Sequence, residues 1–114
     1  MKITTRRDRD EDVTILNLEG RLTIGAGDVQ LREALVELLE GGAKKILLNL
    51  KGVRAMDSSG LGELLRTKNS ADASGATIKL LHVEDKVEQV LEMTRLIGQF
   101  ETFNDEIDAI ASFR

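Results

Sequence analysis

One short stretch of the chain concentrates the residues that could take part in chemistry. It reads Asp-Ser-Ser-Gly-Leu-Gly from Asp57 onward and leads into a segment with helical apolar spacing. Asp57, Ser58 and Ser59 could each cap that helix. Gly60 and Gly62 would let another surface approach the backbone closely. The plainest interpretation is a helix start with a tight turn, and three functional interpretations compete with it.

Two of the three need residues that this chain does not supply in the required pattern. A serine hydrolase needs a base beside its serine and donors for an oxyanion. The chain has no Gly-x-Ser-x-Gly elbow, and its single imidazole, His82, follows the neighbouring predicted strand. A phosphate-binding loop needs a lysine in a Gly-x-x-x-x-Gly-Lys-Ser/Thr arrangement, which is absent here.

The third interpretation is that a serine of this stretch is itself phosphorylated. A phosphoserine at a helix N-terminus faces unpaired backbone N–H groups and the positive end of the helix dipole, so the fold can carry the added group. The modification adds about −1.5 to −2 charges at one surface point. On a chain with a formal charge of −4, it would change what docks there more than it would change the fold.

The composition removes most alternative machinery. The 114 residues suffice for one domain with a hydrophobic core. The lack of cysteine and the single histidine exclude thiolate and multi-histidine metal sites. Three phenylalanines without Tyr or Trp, and a negative charge, argue against nucleic-acid binding. No signal peptide or membrane span is apparent. We therefore expect a cytoplasmic protein that is not an enzyme, needs no cofactor and contacts no membrane.

Apolar periodicity predicts the elements that position the serine-containing stretch. Continuous or β-branched apolar runs predict strands, and leucines or valines at i, i+3, i+4 and i+7 predict helices. The N-cap candidates are Asp28 and Asn104, and residues 51–57 are predicted to form a loop. The predicted strands cover residues 3–9, 13–18, 46–50, 77–81 and 100–103, and the predicted helices lie around residues 31–39, 61–65, 83–91 and 107–111. This alternation predicts a single α/β domain over residues 1–114.

Residues 46–62 resemble the signature of the bacterial STAS-domain proteins known as anti-sigma factor antagonists. Asp-Ser-Ser-Gly-Leu-Gly is the most specific part, and the resemblance extends to Leu-Asn-Leu-Glu-Gly-Arg-Leu at 16–22 and Glu-Met-Thr-Arg-Leu-Ile at 92–97. It implies one STAS-type domain with a mixed, mostly parallel sheet of four to five strands. It also implies an antiparallel N-terminal edge strand and about four helices.

The resemblance further implies partner switching. The unphosphorylated protein would bind an anti-sigma factor serine kinase and so free a sigma factor, controlling sigma-factor-dependent transcription. The kinase would phosphorylate Ser58, the complex would separate, and a PP2C-type phosphatase would reset the protein. The residues implied in partner binding are Asp57, Ser58, Ser59, Gly60, Leu61 and Thr23.

One residue departs from the family pattern. Thr23 stands where many members carry an aspartate, which separates this chain from members whose aspartate serves kinase recognition or nucleotide contacts. A non-switching STAS scaffold or interaction domain of a signalling complex is the alternative. The intact Asp57–Gly60 stretch favours the switch, because a purely structural member would have little reason to keep it.

Overall fold

The computed structural model describes residues 1–114 and contains five strands and four helices. The strands are β1 (Lys2–Asp8), β2 (Val13–Leu22), β3 (Lys45–Met56), β4 (Thr77–Leu81) and β5 (Thr102–Phe103). The helices are α1 (Asp28–Glu40), α2 (Ser58–Ala73), α3 (Asp85–Met93) and α4 (Glu106–Ala111), with a 3₁₀ turn at Ile97–Gln99.

The strands form one mixed sheet in the order β1-β2-β3-β4-β5. β1 is the antiparallel edge strand, with Lys2 opposite Glu19 and Asp8 opposite Val13. The remaining neighbours are parallel. The predicted fold class is confirmed: a mixed, mostly parallel sheet with an antiparallel N-terminal edge strand and four helices.

Both faces of the sheet are covered, which explains the nearly continuous apolar runs of the central strands. On one face, Leu16, Leu48 and Leu80 pack in a cluster that includes residues of α1, α2 and α3. On the other face, Ile15 and Leu47 pack with the smaller cluster that includes α4. The two clusters follow the strand alternation, because successive side chains point to opposite faces. The stretch that begins at Asp57 therefore lies where α2 begins, on the face of the sheet that α1, α2 and α3 cover.

The prediction of a loop over residues 51–57 is wrong for most of its length. Residues 51–56 continue β3 and pair with the end of β2, through register shifts around Asn17–Glu19 and Gly20–Arg21. The irregular pairing blurs the alternation that would mark a strand. Val53 and Met56 are buried while Arg54 is exposed. The extension carries Asp57 well beyond the middle of the sheet.

Two predicted helix caps are also corrected. Asp28 is the first residue of α1, and the cap position is held by Gly27 with a φ of 107°. A side chain at Gly27 would overlap the carbonyl oxygen of Arg21, so the close approach requires glycine. At α4 the cap is Asp105 and not Asn104, and its Oδ1 accepts the N–H of Asp108 at 3.1 Å. At both helices the predicted cap is one residue away from the observed one, because sequence spacing fixes a helix start only to within a residue or two.

Candidate functional site

The site consists of residues 57–61, which we call the capping turn. It follows β3 directly and forms the first turn of α2. Leu22 and Met56 are register partners in β2 and β3, so the capping turn lies next to the segment that leaves β2. The carboxyl ends of parallel strands are the usual place for binding loops in such sheets. The predicted N-cap role of Asp57 is confirmed.

Asp57 holds two loops together with one carboxylate. Its Oδ1 accepts the N–H of Gly60 at 3.0 Å, which caps α2. Its Oδ2 accepts the N–H of Ile24 at 3.0 Å, from the segment between β2 and α1. These donated N–H groups, that of Gly60 first and that of Ile24 second, hold the pKa of Asp57 below its usual value. The carboxylate is therefore ionised and fixed in place beside Ser58.

The lowered pKa predicts a pH-dependent contribution of Asp57 to stability. A carboxylate whose pKa is lower in the folded state stabilises the fold above its unfolded pKa, and the contribution is lost as the pH falls through the folded pKa. We expect Asp57→Asn to show a smaller loss in the free energy of unfolding between pH 7 and pH 3 than the unmodified chain. Asparagine keeps a capping oxygen, so the helix start is retained. Urea titrations at the two pH values measure this, and equal losses would contradict the assignment.

The two glycines near the turn have different surroundings. A side chain at Gly60 would overlap the backbone carbonyl of Leu22, so the start of α2 lies directly on the end of β2. At Gly62 an added Cβ would meet only the Arg66 guanidinium, at 3.6 Å from its nearest nitrogen. The expectation that both glycines admit a close neighbour therefore describes Gly60 alone, and that neighbour belongs to this chain.

The two serines differ in accessibility. Ser58 is exposed and is the first residue of α2, while Ser59 is half-buried. Gly60 is buried and Leu61 is 7% exposed, within the larger core cluster. Ser58 is thus the serine that an enzyme could reach with the least rearrangement. Gly60 and Leu61 stay predictions as partner-binding residues, and from their positions they would act by fixing the turn.

Thr23 lies beside the site without a hydrogen bond to the capping turn. Its N–H donates to the carbonyl of Ala26 at 2.9 Å, and the N–H of Ala26 donates back to the carbonyl of Thr23 at 2.9 Å. This small turn brings the next residue, Ile24, to Asp57. Thr23 is half-buried, and its predicted role in partner binding would depend on the same segment.

Sequence reasoning missed two residues near the turn. Ile24 is 73% exposed although it is large and apolar. Glu63 is buried on α2, and its Oε1 accepts hydrogen bonds from Arg32 of α1 at 2.9 Å and from Arg66 at 3.3 Å. The available signals were an isoleucine directly before Gly25-Ala26-Gly27 and an acidic residue among the leucines of α2.

The chain shows no ready-made metal centre or membrane helix. No group of three or more His, Cys, Asp and Glu side chains is placed to hold a metal ion. None of the helices combines the length and apolar character needed to cross a membrane. What the capping turn offers chemically is an exposed serine hydroxyl at a helix N-terminus, beside a fixed carboxylate.

Comparison with known proteins finds relatives in both sequence and structure. The family model described as "Mlab, STAS domain" matches residues 5–101. The anti-sigma-B factor antagonist of Bacillus subtilis is 31% identical over 96 residues, covering 84% of this chain and 86% of that protein. A Thermotoga maritima protein provisionally named an anti-sigma factor antagonist has a crystal structure that superposes with a TM-score of 0.87. It is 28% identical, over 98% of this chain and 94% of that one.

The fold is shared more widely. The Bacillus cell fate determinant SpoIIAA in its phosphorylated form superposes with a TM-score of 0.75 at 24% identity, covering 99% of this chain and all of that one. At that identity the likeness concerns the fold alone. The family model spans most of the sheet and the whole capping turn. This chain belongs to the STAS domain family, and its Bacillus subtilis and Thermotoga maritima relatives are named as anti-sigma factor antagonists.

Proposed function

We propose that the chain is an anti-sigma factor antagonist whose binding to an anti-sigma factor serine kinase is switched off by phosphorylation of Ser58. The observation that carries the proposal is the exposed Ser58 at the N-terminus of α2, on a turn fixed by Asp57. The names of its relatives support the general role. The phosphorylated form of SpoIIAA, which shares the fold, is in keeping with a modification of this kind.

The proposed switch works by charge at a rigid surface point. The first turn of α2 offers the positive end of a helix dipole to a phosphate on Ser58. Asp57 remains ionised next to it, because two backbone N–H groups hold its pKa low. The phosphate adds about −1.5 to −2 charges to a chain that already carries −4. The turn therefore keeps its shape while its surface becomes strongly negative, and a partner that fits the neutral serine is repelled.

The proposal also assigns roles to the other proteins of the switch and to the residues around Ser58. The kinase and the sigma factor it holds would meet this chain in the cytoplasm, and a PP2C-type phosphatase would remove the phosphate. The chain itself would act as substrate and ligand and would need no cofactor. Asp57, Ser59 and Thr23 would border the contact, while Gly60 and Leu61 would hold Ser58 in position.

The direct test is phosphorylation by an anti-sigma factor serine kinase from the same organism. With ATP, we expect one phosphoryl group per chain, located on Ser58 by mass spectrometry of peptides. Ser58→Ala should abolish the modification, and Ser59→Ala should retain it. A phosphoryl group on Ser59 or Ser70 would refute the site, and a complete lack of modification would favour the scaffold interpretation.

A further inference from the structure

Three of the five exposed large apolar residues lie in α1 or in the segment that leads into it from β2. Ile24, Val29 and Val36 are 73%, 45% and 47% exposed. Ile24 is hydrogen-bonded to Asp57. Val29 and Val36 are seven residues apart on α1, so they lie on one face of the helix about 10 Å apart. We call these three residues the α1 strip. It extends from the segment bonded to Asp57 onto α1.

The α1 strip leads into a groove between α1 and α2 with a volume of about 220 Å³. Val36 and Leu39 form part of its apolar wall, and Thr67 faces them from α2. Thr67 is 4% exposed, and its hydroxyl oxygen is buried without a hydrogen-bond partner. Buried hydroxyl groups in folded proteins are nearly always paired. The groove thus offers an apolar wall, and the unpaired Thr67 hydroxyl lies below its accessible surface.

The rim of the groove is positive on a chain that is negative overall. Arg32 and Arg66 are 51% and 61% exposed, and both bind the same carboxylate oxygen of buried Glu63. Two guanidinium groups share one carboxylate, so the cluster carries a net charge of +1. Each arginine keeps N–H donors that Glu63 does not use. A segment with an apolar side chain flanked by a carboxylate matches this surface in both polarity and charge.

The area needed for stable binding also points to this surface. A standard protein interface buries about 800 Å² on each partner, equivalent to a disc of about 16 Å radius. The few residues of the capping turn cannot supply that area alone. Arg66 lies eight residues beyond Ser58 on α2, or about 12 Å along the helix. The groove therefore falls within the footprint of a partner that covers Ser58.

We propose that the α1 strip and the groove form a second docking site for the kinase that modifies Ser58. The site receives an apolar side chain and a neighbouring carboxylate from an amphipathic segment of that kinase. The inference rests on the proposed phosphorylation of Ser58. The two other exposed large apolar residues lie elsewhere, Met93 at the end of α3 and Ile107 on α4 across the sheet. Met93 provides the control position.

The test is steady-state phosphorylation of the full chain by the anti-sigma factor serine kinase that modifies Ser58. For Val36→Asp we expect KM to rise at least tenfold with kcat within twofold, because the reacting serine is untouched. Arg66→Ala should raise KM in the same direction. Met93→Asp adds the same charge at an exposed apolar position outside the site, and its KM should stay within twofold. Circular dichroism melting curves check that each variant is folded.

The outcomes separate this inference from the proposed function. Normal KM values for Val36→Asp and Arg66→Ala, with Ser58 still phosphorylated, would overturn the second docking site alone. A wild-type chain without phosphate on Ser58 would overturn both. Sedimentation of the chain without kinase tests a second copy as the occupant. If the chain sediments as a monomer with and without Val36→Asp, kinase docking is supported. If it sediments as a dimer that Val36→Asp dissociates, the surface binds a second copy and kinase docking is contradicted.

Discussion

Replacing Gly60 with alanine is expected to lower the free energy of unfolding by about 3 kcal/mol. The added methyl group would overlap the carbonyl of Leu22, a backbone atom that cannot rotate away. Overpacking of this kind costs about 1–3 kcal/mol and occasionally more, and displacing α2 would also weaken the Asp57 cap, at about 1 kcal/mol. The better helix propensity of alanine returns at most about 1 kcal/mol. Urea unfolding followed by circular dichroism measures the difference.

Gly62→Ala is the matched control for that substitution. It makes the same chemical change two residues later on the same helix, where the new Cβ meets only the Arg66 guanidinium at 3.6 Å. We expect the free energy of unfolding to rise by up to about 1 kcal/mol, because alanine restricts the unfolded chain and favours helix. If both substitutions changed the free energy of unfolding equally, the close contact of α2 with the end of β2 would not explain why glycine is required at position 60.

A permanent negative charge at Ser58 is expected to weaken kinase binding at least tenfold, equivalent to about 1.4 kcal/mol. Ser58→Asp places a carboxylate beside the ionised Asp57, whereas Ser58→Ala removes only a hydroxyl group and should leave Kd within threefold. Aspartate in the first turn of a helix is itself stabilising, by about 0.3–1 kcal/mol. This gain offsets the repulsion from the ionised Asp57, so the Ser58→Asp chain should melt close to the unmodified chain. Calorimetric titration and melting curves together separate lost binding from lost folding.

Net charge alone needs its own control. Asn104→Asp gives the chain the same total charge as Ser58→Asp, at an exposed position between β5 and α4 that lies outside both the capping turn and the groove. Its Kd should stay within threefold of the unmodified value. Equal weakening by the two aspartates would mean that the kinase responds to overall charge, and the local switch would be refuted.

Local patterns in the sequence predicted the fold class and the start of the site well. Strand alternation and helical spacing depend on near neighbours, so α1, α2 and β4 were placed close to their observed positions. The capping role of Asp57 is equally local, because its Oδ1 binds a residue three positions away. The continuation of β3 was missed because shifted pairing with β2 interrupts its alternation.

The missed parts of the site depend on contacts between distant residues. The bond from Ile24 to Asp57 spans 33 positions. Glu63 is accommodated in the interior because Arg32, 31 positions away, reaches it from α1. No spacing rule describes such pairs. Spacing also treated Gly60 and Gly62 alike, and only the position of Leu22 separates them.

The seating of Gly60 on the end of β2 has a consequence for how a modifying enzyme would recognise this chain. Ser58 is part of a fixed helix start, held by backbone from β2 and by the carboxylate of Asp57. The enzyme would recognise a folded helix start. Because folding has already ordered the segment around Ser58, binding to the enzyme would not have to bear that entropic cost. A synthetic peptide with the same sequence around Ser58 would lack the folded helix start, and it would therefore be a poor substrate.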